Sequence, residues 1–291
     1  MNHAVLGAGA IGGLMAAGVS AVGEDMTLVV RPGQAEGHPK ILVVEHPAGT
    51  LTAETKVAER VAEAFDVLWI ATKTYQLDDA LASVDVTPGI VVPLLNGIEH
   101  VAVLRARYGG DRVVPGTIAV EAERSAPGRF VHRSAVRLNV AASGEGLLGG
   151  VFEKLRGLGW TCRFIADEPT LMWSKLAFLE PFALVTSASG KNNGEVFADR
   201  EWKATFAEAI REACAVAAKE GAEIDAEKGL AVFETFPATM RASMAKDLEA
   251  GRKLELDGIA GAVLRAGAKH GVETPTTKSL VEMIKARERR R

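Results

Sequence analysis

Three glycines stand at positions 7, 9 and 12, in the run Gly7-Ala8-Gly9-Ala10-Ile11-Gly12. A short apolar run precedes them and a long uncharged one follows. Where a strand ends and a helix begins, this spacing has a chemical meaning. The first glycine permits a tight turn, the second lets backbone approach a pyrophosphate, and the third lets helix and strand pack closely. The first N–H groups of the helix, and its dipole, then hold the phosphates. Without that setting the same spacing is only a turn.

The next apolar run, Thr27-Leu28-Val29-Val30, ends in Arg31, and no acidic residue follows until Glu36. A carboxylate at this place would hold the ribose hydroxyls of NAD, whereas an arginine accommodates the 2′-phosphate of NADP. Arginine offers phosphate a planar fork of donors and keeps its charge. The expectation is therefore NADPH rather than NADH, against the plainer reading of Arg31 as a surface residue before a Pro-Gly turn. Two later loops follow buried runs, where ligands bind in open α/β sheets. Ala71–Gln76 carries Lys73 and Gln76, and Leu94–Gly97 carries Asn96. A solvated lysine and a turn asparagine remain open readings of the two loops.

Two charges in the second half sit among apolar residues. On an ideal helix Lys175 shares a face with Leu171, Met172, Phe178, Leu179 and Phe182, and Glu255 lies beside Leu248, Ile259 and Ala262. An unpaired buried ammonium is costly, so Lys175 must snorkel, pair or line a cleft. For Glu255 the plain alternative is a local pair with Arg252. Together the two residues suit hydride transfer to a ketone, in which a cation stabilises charge developing on oxygen and a carboxylate orients that cation. Ser243, one turn before Leu248, has a hydroxyl that can donate to a substrate carboxylate.

These residues need elements to position them. His3–Leu6, Met26–Val30, Ile41–Glu45, Val67–Ala71, Ile90–Leu95 and Arg112–Pro115 read as strands, several without polar alternation, as in parallel strands covered on both faces. Helical patterns at Ile11–Val22, Gln76–Val84 and His100–Tyr108 separate them, which predicts a doubly wound sheet. Arg129–Ala142 alternates loosely and predicts antiparallel strands. A glycine-rich turn at Ser143–Gly150, a short helix at Val151–Gly157 and a last strand at Thr161–Ile165 follow. Asp167-Glu168-Pro169 is a helix-start signal. Beyond it Thr170–Ser187, Glu201–Glu220, a segment near Gly229, Met240–His270 and Thr277–Arg287 read as helix. The expected division is residues 1–166 and 167–291.

Composition narrows the functional classes. A net charge of -3 leaves no basic footprint for nucleic acid. Ala4–Gly23 is uncharged, but no Lys or Arg precedes it and it carries six glycines, so it predicts a buried strand, turn and helix rather than a signal peptide or membrane span. The basic tail from Lys285 to Arg291 suits the negative end of a helix. Cys162 and Cys214 lie far apart, with no CxxC spacing and no His cluster, so neither a metal site nor a disulfide framework is expected, and a reducing, cytoplasmic setting is.

Over essentially its whole length the chain resembles the ketopantoate reductase (2-dehydropantoate 2-reductase) family. The resemblance rests on Val5–Gly12, Arg31, Thr72–Gln76, Leu95–Gly97, Trp173-Ser174-Lys175-Leu176, Asn193-Gly194, and Ser243-Met244 running on to Glu255. It implies an N-terminal Rossmann domain and an all-α C-terminal domain like that of 6-phosphogluconate dehydrogenase. It further implies Lys175 as general acid, Glu255 on the substrate hydroxyl, Ser243 on its carboxylate, and Asn96 near both nicotinamide and substrate. Asn193 becomes a substrate contact, and Lys73 and Gln76 join Gly7 to Gly12 and Arg31 at the cofactor. The family's substrate-binding asparagines would fall at Leu179, Ala183 and Met240, where this sequence is apolar. The expected activity is NADPH-dependent reduction of a 2-oxo acid, either ketopantoate on the way to pantothenate or a more apolar, branched-chain substrate. Alternatives are another NADP-linked hydroxy-acid or alcohol dehydrogenase and a non-catalytic NADP(H) sensor. Homodimers suit such enzymes, although no sequence feature here points to one.

Overall fold

Strand β1 (Asn2–Leu6) is buried from His3 onward, and helix α1 (Ala10–Ala21) buries every residue from Gly12 to Val19. The uncharged opening is therefore interior strand, turn and helix. The computed structural model describes residues 1–290, so Arg291, the end of the basic tail, lies outside the described residues. After α1 come β2 (Asp25–Val29), the pair β3 (Ile41–His46) and β4 (Gly49–Glu54), then β5 (Lys56–Ala58) and β6 (Val67–Ile70). Next are α2 (Leu77–Leu81), β7 (Ile90–Pro93), α3 (His100–Tyr108), β8 (Gly116–Ala119), β9 (Ala122–Ala126), β10 (Arg129–His132), β11 (Arg137–Ala141), α4 (Glu145–Gly157) and β12 (Thr161–Ile165).

The main sheet is five-stranded in the order β5-β2-β1-β6-β7, with every pairing parallel. From β1 in the middle the chain builds outward to β2 and β5, then returns to the other flank with β6 and β7. That reversal opens a crevice at the carboxyl ends of β1 and β6, where open α/β sheets bind ligands.

Several segments depart from the sequence reading. The Ile41 run leaves the main sheet and joins a four-stranded sheet, β4-β3-β10-β9. Its alternating buried and exposed residues mark a one-sided strand. Arg112–Pro115 forms one bridge, Val91 to Val113, rather than a strand. The Arg129–Ala142 stretch pairs in both senses: β10 is parallel to β3 and antiparallel to β9, and β11 is parallel to β12 and antiparallel to β8. Ser143–Gly150 is largely helix, because Leu148, Val151, Phe152 and Leu155 bury one face of α4. That periodicity outweighs the glycine count.

The structure divides into two compact units, Met1–Leu95 with His100–Glu168, and Asn96–Glu99 with the chain from Pro169 onward. The second unit is built on α5 (Glu168–Ser189), α6 (Asn193–Ala198), α7 (Arg200–Lys219), α8 (Ala226–Glu234), α9 (Ser243–Glu249), α10 (Ala262–His270) and α11 (Pro275–Arg289). Phe233 packs on Phe182 and Phe206 with ring centroids 5.1 and 5.0 Å away. Burying each such ring contributes about 1.5–3 kcal/mol. The stretch Met240–His270 is not one helix. It breaks after α9, where Arg252 turns back to bond the Asp247 carbonyl and carboxylate, and resumes through a π-helical turn at Asp257–Gly261. Among the described residues no helix is long and apolar enough to cross a membrane.

Candidate active site

In the first unit the glycine turn follows β1 directly. Gly7 has φ of 109°, a region that favours glycine. A Cβ on Gly12 would sit 1.7 Å from the Gly7 carbonyl oxygen, so the turn closes only without a side chain there. A Cβ on Gly9 would meet nothing within 4 Å, and α1 carries no side-chain cap and no acidic residue in its first turn. Open space before uncapped helix N–H groups is what a pyrophosphate needs, so Gly7, Ala8, Gly9, Ala10, Ile11 and Gly12 fit a dinucleotide.

The neighbouring strands bring more donors to the same edge. Arg31, exposed, lies two residues beyond β2. The loop it opens is pinned from the end of the neighbouring strand β5: Glu59 accepts the Ala35 N–H at 3.0 Å, and the backbone N–H groups of Ala35, Gly33 and Gln34 hold its carboxylate below its ordinary pKa. Beyond β6, Lys73 caps a short 3-10 turn, Thr74–Gln76, and its N–H bonds the Gln76 amide oxygen at 3.3 Å. The side-chain oxygen of Gln76 thus fixes the shape of the Lys73 loop. Sequence reading missed Glu59 and Arg124. From β9, Arg124 donates to the Ala8 carbonyl at 3.1 Å and sets a guanidinium on the glycine turn. Their partners are 24 and 116 residues away, so no local spacing marks either one.

In the second unit Asn96 donates its amide to Glu255 at 3.2 Å. Glu255 is only 3% exposed. Its sequence-level alternative partner is engaged elsewhere, since Arg252 binds Asp247 at 2.7 Å. The helical face assigned to Glu255 from an unbroken helix is also corrected. Glu255 follows the break, and its backbone carbonyl accepts the Ile259 N–H as helix resumes. Lys175, half-buried on α5, is within electrostatic reach of Glu255. Burial pushes its ammonium down to about 8, and the Glu255 charge pulls the other way. An acid with a pKa near neutrality, held in the field of a fixed carboxylate, is suited to giving up a proton.

The remaining candidates separate. Ser243 is exposed at the start of α9. Asn193 is 3% exposed and its NH2 donates to the Phe233 and Phe236 carbonyls at 2.9 and 3.4 Å. That commits its donors to holding α6 against the end of α8. Asn192 caps α6 through Glu195. Leu179 and Met240 are half-buried and Ala183 is buried.

The sequence matches the family model described as ketopantoate reductase PanE/ApbA over residues 3–145, and its C-terminal counterpart over residues 169–288. The chain belongs to the ketopantoate reductase family. Members of this family are oxidoreductases acting on CH–OH groups, and the family implies a nicotinamide cofactor. A 2-dehydropantoate 2-reductase of Caulobacter vibrioides is 31% identical, covering 97% of this chain and 98% of the relative. One from Archaeoglobus fulgidus is 29% identical, covering 97% and 96%. Among solved structures, a 2-dehydropantoate 2-reductase of Geobacter metallireducens superposes with a TM-score of 0.88 at 22% identity, covering 98% and 99%. The ternary structure of D-mandelate dehydrogenase with NADH and anilino(oxo)acetate superposes with 0.87 at 23%, covering 99% and 98%. At these identities the two structures establish the fold.

Proposed function

We propose that the chain reduces a 2-oxo acid to a 2-hydroxy acid with NADPH, and that the substrate's side chain is apolar. The observation that carries the reading is the buried Glu255 carboxylate, which Asn96 bonds and whose charge acts on the Lys175 ammonium. A non-catalytic dinucleotide binder has no use for that arrangement. When bound, reduced nicotinamide supplies a hydride to the ketone carbon. Lys175 gives its proton to the ketone oxygen and becomes a neutral amine, so the charge developing on oxygen is quenched as it forms. Glu255 orients the ammonium and accepts a hydrogen bond from the new hydroxyl, and Asn96 keeps that carboxylate in place. The Ser243 hydroxyl donates to the substrate carboxylate.

The cofactor preference rests on Arg31, whose charge suits a 2′-phosphate. The substrate preference rests on Leu179, Ala183 and Met240, which offer no donor to a hydroxylated side chain. The anilino(oxo)acetate held by D-mandelate dehydrogenase, a protein of the same fold, supports an apolar substituent here as well.

The test is a panel of 2-oxo acids at fixed NADPH, followed by absorbance, with ketopantoate and 2-oxo-3-methylbutanoate as the decisive pair. The two differ by one hydroxymethyl group. Faster NADPH oxidation with the branched-chain acid supports the proposal. Turnover with simple ketones but no 2-oxo acid indicates another alcohol dehydrogenase, and NADPH binding without oxidation by any acid indicates a sensor.

A further inference from the structure

Asn96 belongs to a four-residue turn, Asn96-Gly97-Ile98-Glu99, in which each residue has its own anchor in the helical unit. Asn96 bonds Glu255. Gly97 has φ of 78°, and a Cβ on it would lie 2.1 Å from the Gly258 carbonyl oxygen, so two backbones touch there. Ile98 packs against the helical core. Glu99 is gripped by Arg265 of α10, Nε to Oε1 at 2.8 Å and Nη2 to Oε2 at 2.6 Å. The same guanidinium bonds the Asp257 carboxylate at 2.8 Å and the Asp257 carbonyl at 3.2 Å.

Asp257 opens the π-helical turn two residues after Glu255. Gly261 closes that turn, and a Cβ on it would crowd both Asp257 and Arg265. One planar fork therefore ties α10, the π turn and the 96–99 turn into a single body. Ordinary exposed ion pairs contribute little to stability. A bidentate fork adds geometric definition, which a point charge does not, and π turns recur at functional sites.

We infer that Arg265 is a positioning residue: by clamping Glu99 and Asp257 it holds the 96–99 turn on the π turn, which keeps the Asn96 amide on Glu255. The inference rests on the proposed catalytic roles of Asn96 and Glu255. Displacement of a catalytic group by an ångström costs up to about a hundredfold in rate. Arg265→Ala and Glu99→Gln should each lower kcat about ten- to a hundredfold and leave NADPH affinity and the melting temperature close to those of the parent. The double variant should be no worse than Arg265→Ala alone, because that single change already removes the Glu99 contact. Arg265→Lys, which keeps charge without the fork, should fall between. Lys203→Ala, which removes a comparable exposed pair with Glu234, should change nothing.

An independent readout is the side-chain amide resonance of Asn96 in the free protein, assigned by its loss in Asn96→Asp. It should move in Arg265→Ala and in Glu99→Gln and stay in place in Lys203→Ala. Wild-type kcat together with an unmoved Asn96 resonance in both clamp variants overturns the inference. Full turnover in Asn96→Ala and Glu255→Gln overturns the catalytic reading instead, and the resonance then still decides whether Arg265 fixes the turn.

Discussion

Asn96 and Glu255 are 159 residues apart in sequence, and their side chains meet at 3.2 Å, Nδ2 to Oε2. A neutral amide donor satisfies a buried carboxylate without bringing a countercharge. The carboxylate then remains available to the Lys175 ammonium, whose pKa burial has already lowered to about 8.

A pH profile tests that pairing. Reduction needs Lys175 protonated, so kcat/KM, which reports the free protein, should be level below about pH 8 and fall roughly tenfold per unit above it. Oxidation of the hydroxy acid needs the neutral amine and should rise through the same pH. Lys175→Ala should remove about a hundred- to ten-thousandfold of turnover, while fluorescence titration shows NADPH affinity nearly unchanged. A profile centred far from 8, or turnover kept in the alanine variant, removes Lys175 from the acid role.

Cofactor choice and cofactor grip should separate between two arginines. Arg31→Ala should weaken NADPH roughly ten- to a hundredfold, the worth of a charge-assisted contact, and leave NADH almost untouched. Arg124 touches the glycine turn at Ala8, so Arg124→Ala should weaken both dinucleotides alike. Equilibrium binding of the two cofactors to each variant decides this. A symmetric loss in Arg31→Ala would contradict the phosphate role.

Much of this was legible in the sequence because the signals are local. Uncharged runs such as Val67–Ile70 announce buried strands, and the glycine spacing gains meaning from the strand before it. Lys175 is conspicuous as one charge on an apolar face. What stayed illegible depends on contacts distant in sequence. Glu59 and Arg124 have no unusual local setting. The break after α9 is set by Arg252 turning back on Asp247, whereas the local pattern favours continuous helix. The resemblance makes Asn193 a substrate contact, and only the fold shows its NH2 turned onto the Phe233 carbonyl.

Substrate selectivity should respond to the apolar positions on and beside α5. Leu179 is half-buried and offers no hydrogen bond, so a hydroxymethyl group gains nothing there. A site that hydrogen-bonds a hydroxyl discriminates far more strongly than one that only packs against carbon. Leu179→Asn should therefore raise kcat/KM for ketopantoate relative to 2-oxo-3-methylbutanoate by at least about tenfold. An unchanged ratio would mean that Leu179 does not meet the substrate's side chain.

Glu180, five residues beyond Lys175 on α5, is fully buried. Burial foremost, then the Glu212 charge, raises its carboxyl well above the ordinary value of 4.5, with the Thr277 hydroxyl acting against them. Glu212 itself accepts the Thr276 and Thr277 N–H groups at 2.7 and 2.9 Å and caps α11. Folded protein therefore keeps a proton on Glu180 that the unfolded chain releases, and stability must fall as pH rises from 4.5 toward the raised value. Glu180→Gln cannot ionise and should flatten that fall. Its melting temperature should match the parent near pH 4.5 and exceed it at neutral pH, by about 2–4 °C for each kcal/mol recovered. Scanning calorimetry of both proteins across that range provides the measurement. Parallel curves would show that Glu180 is ionised in the folded state.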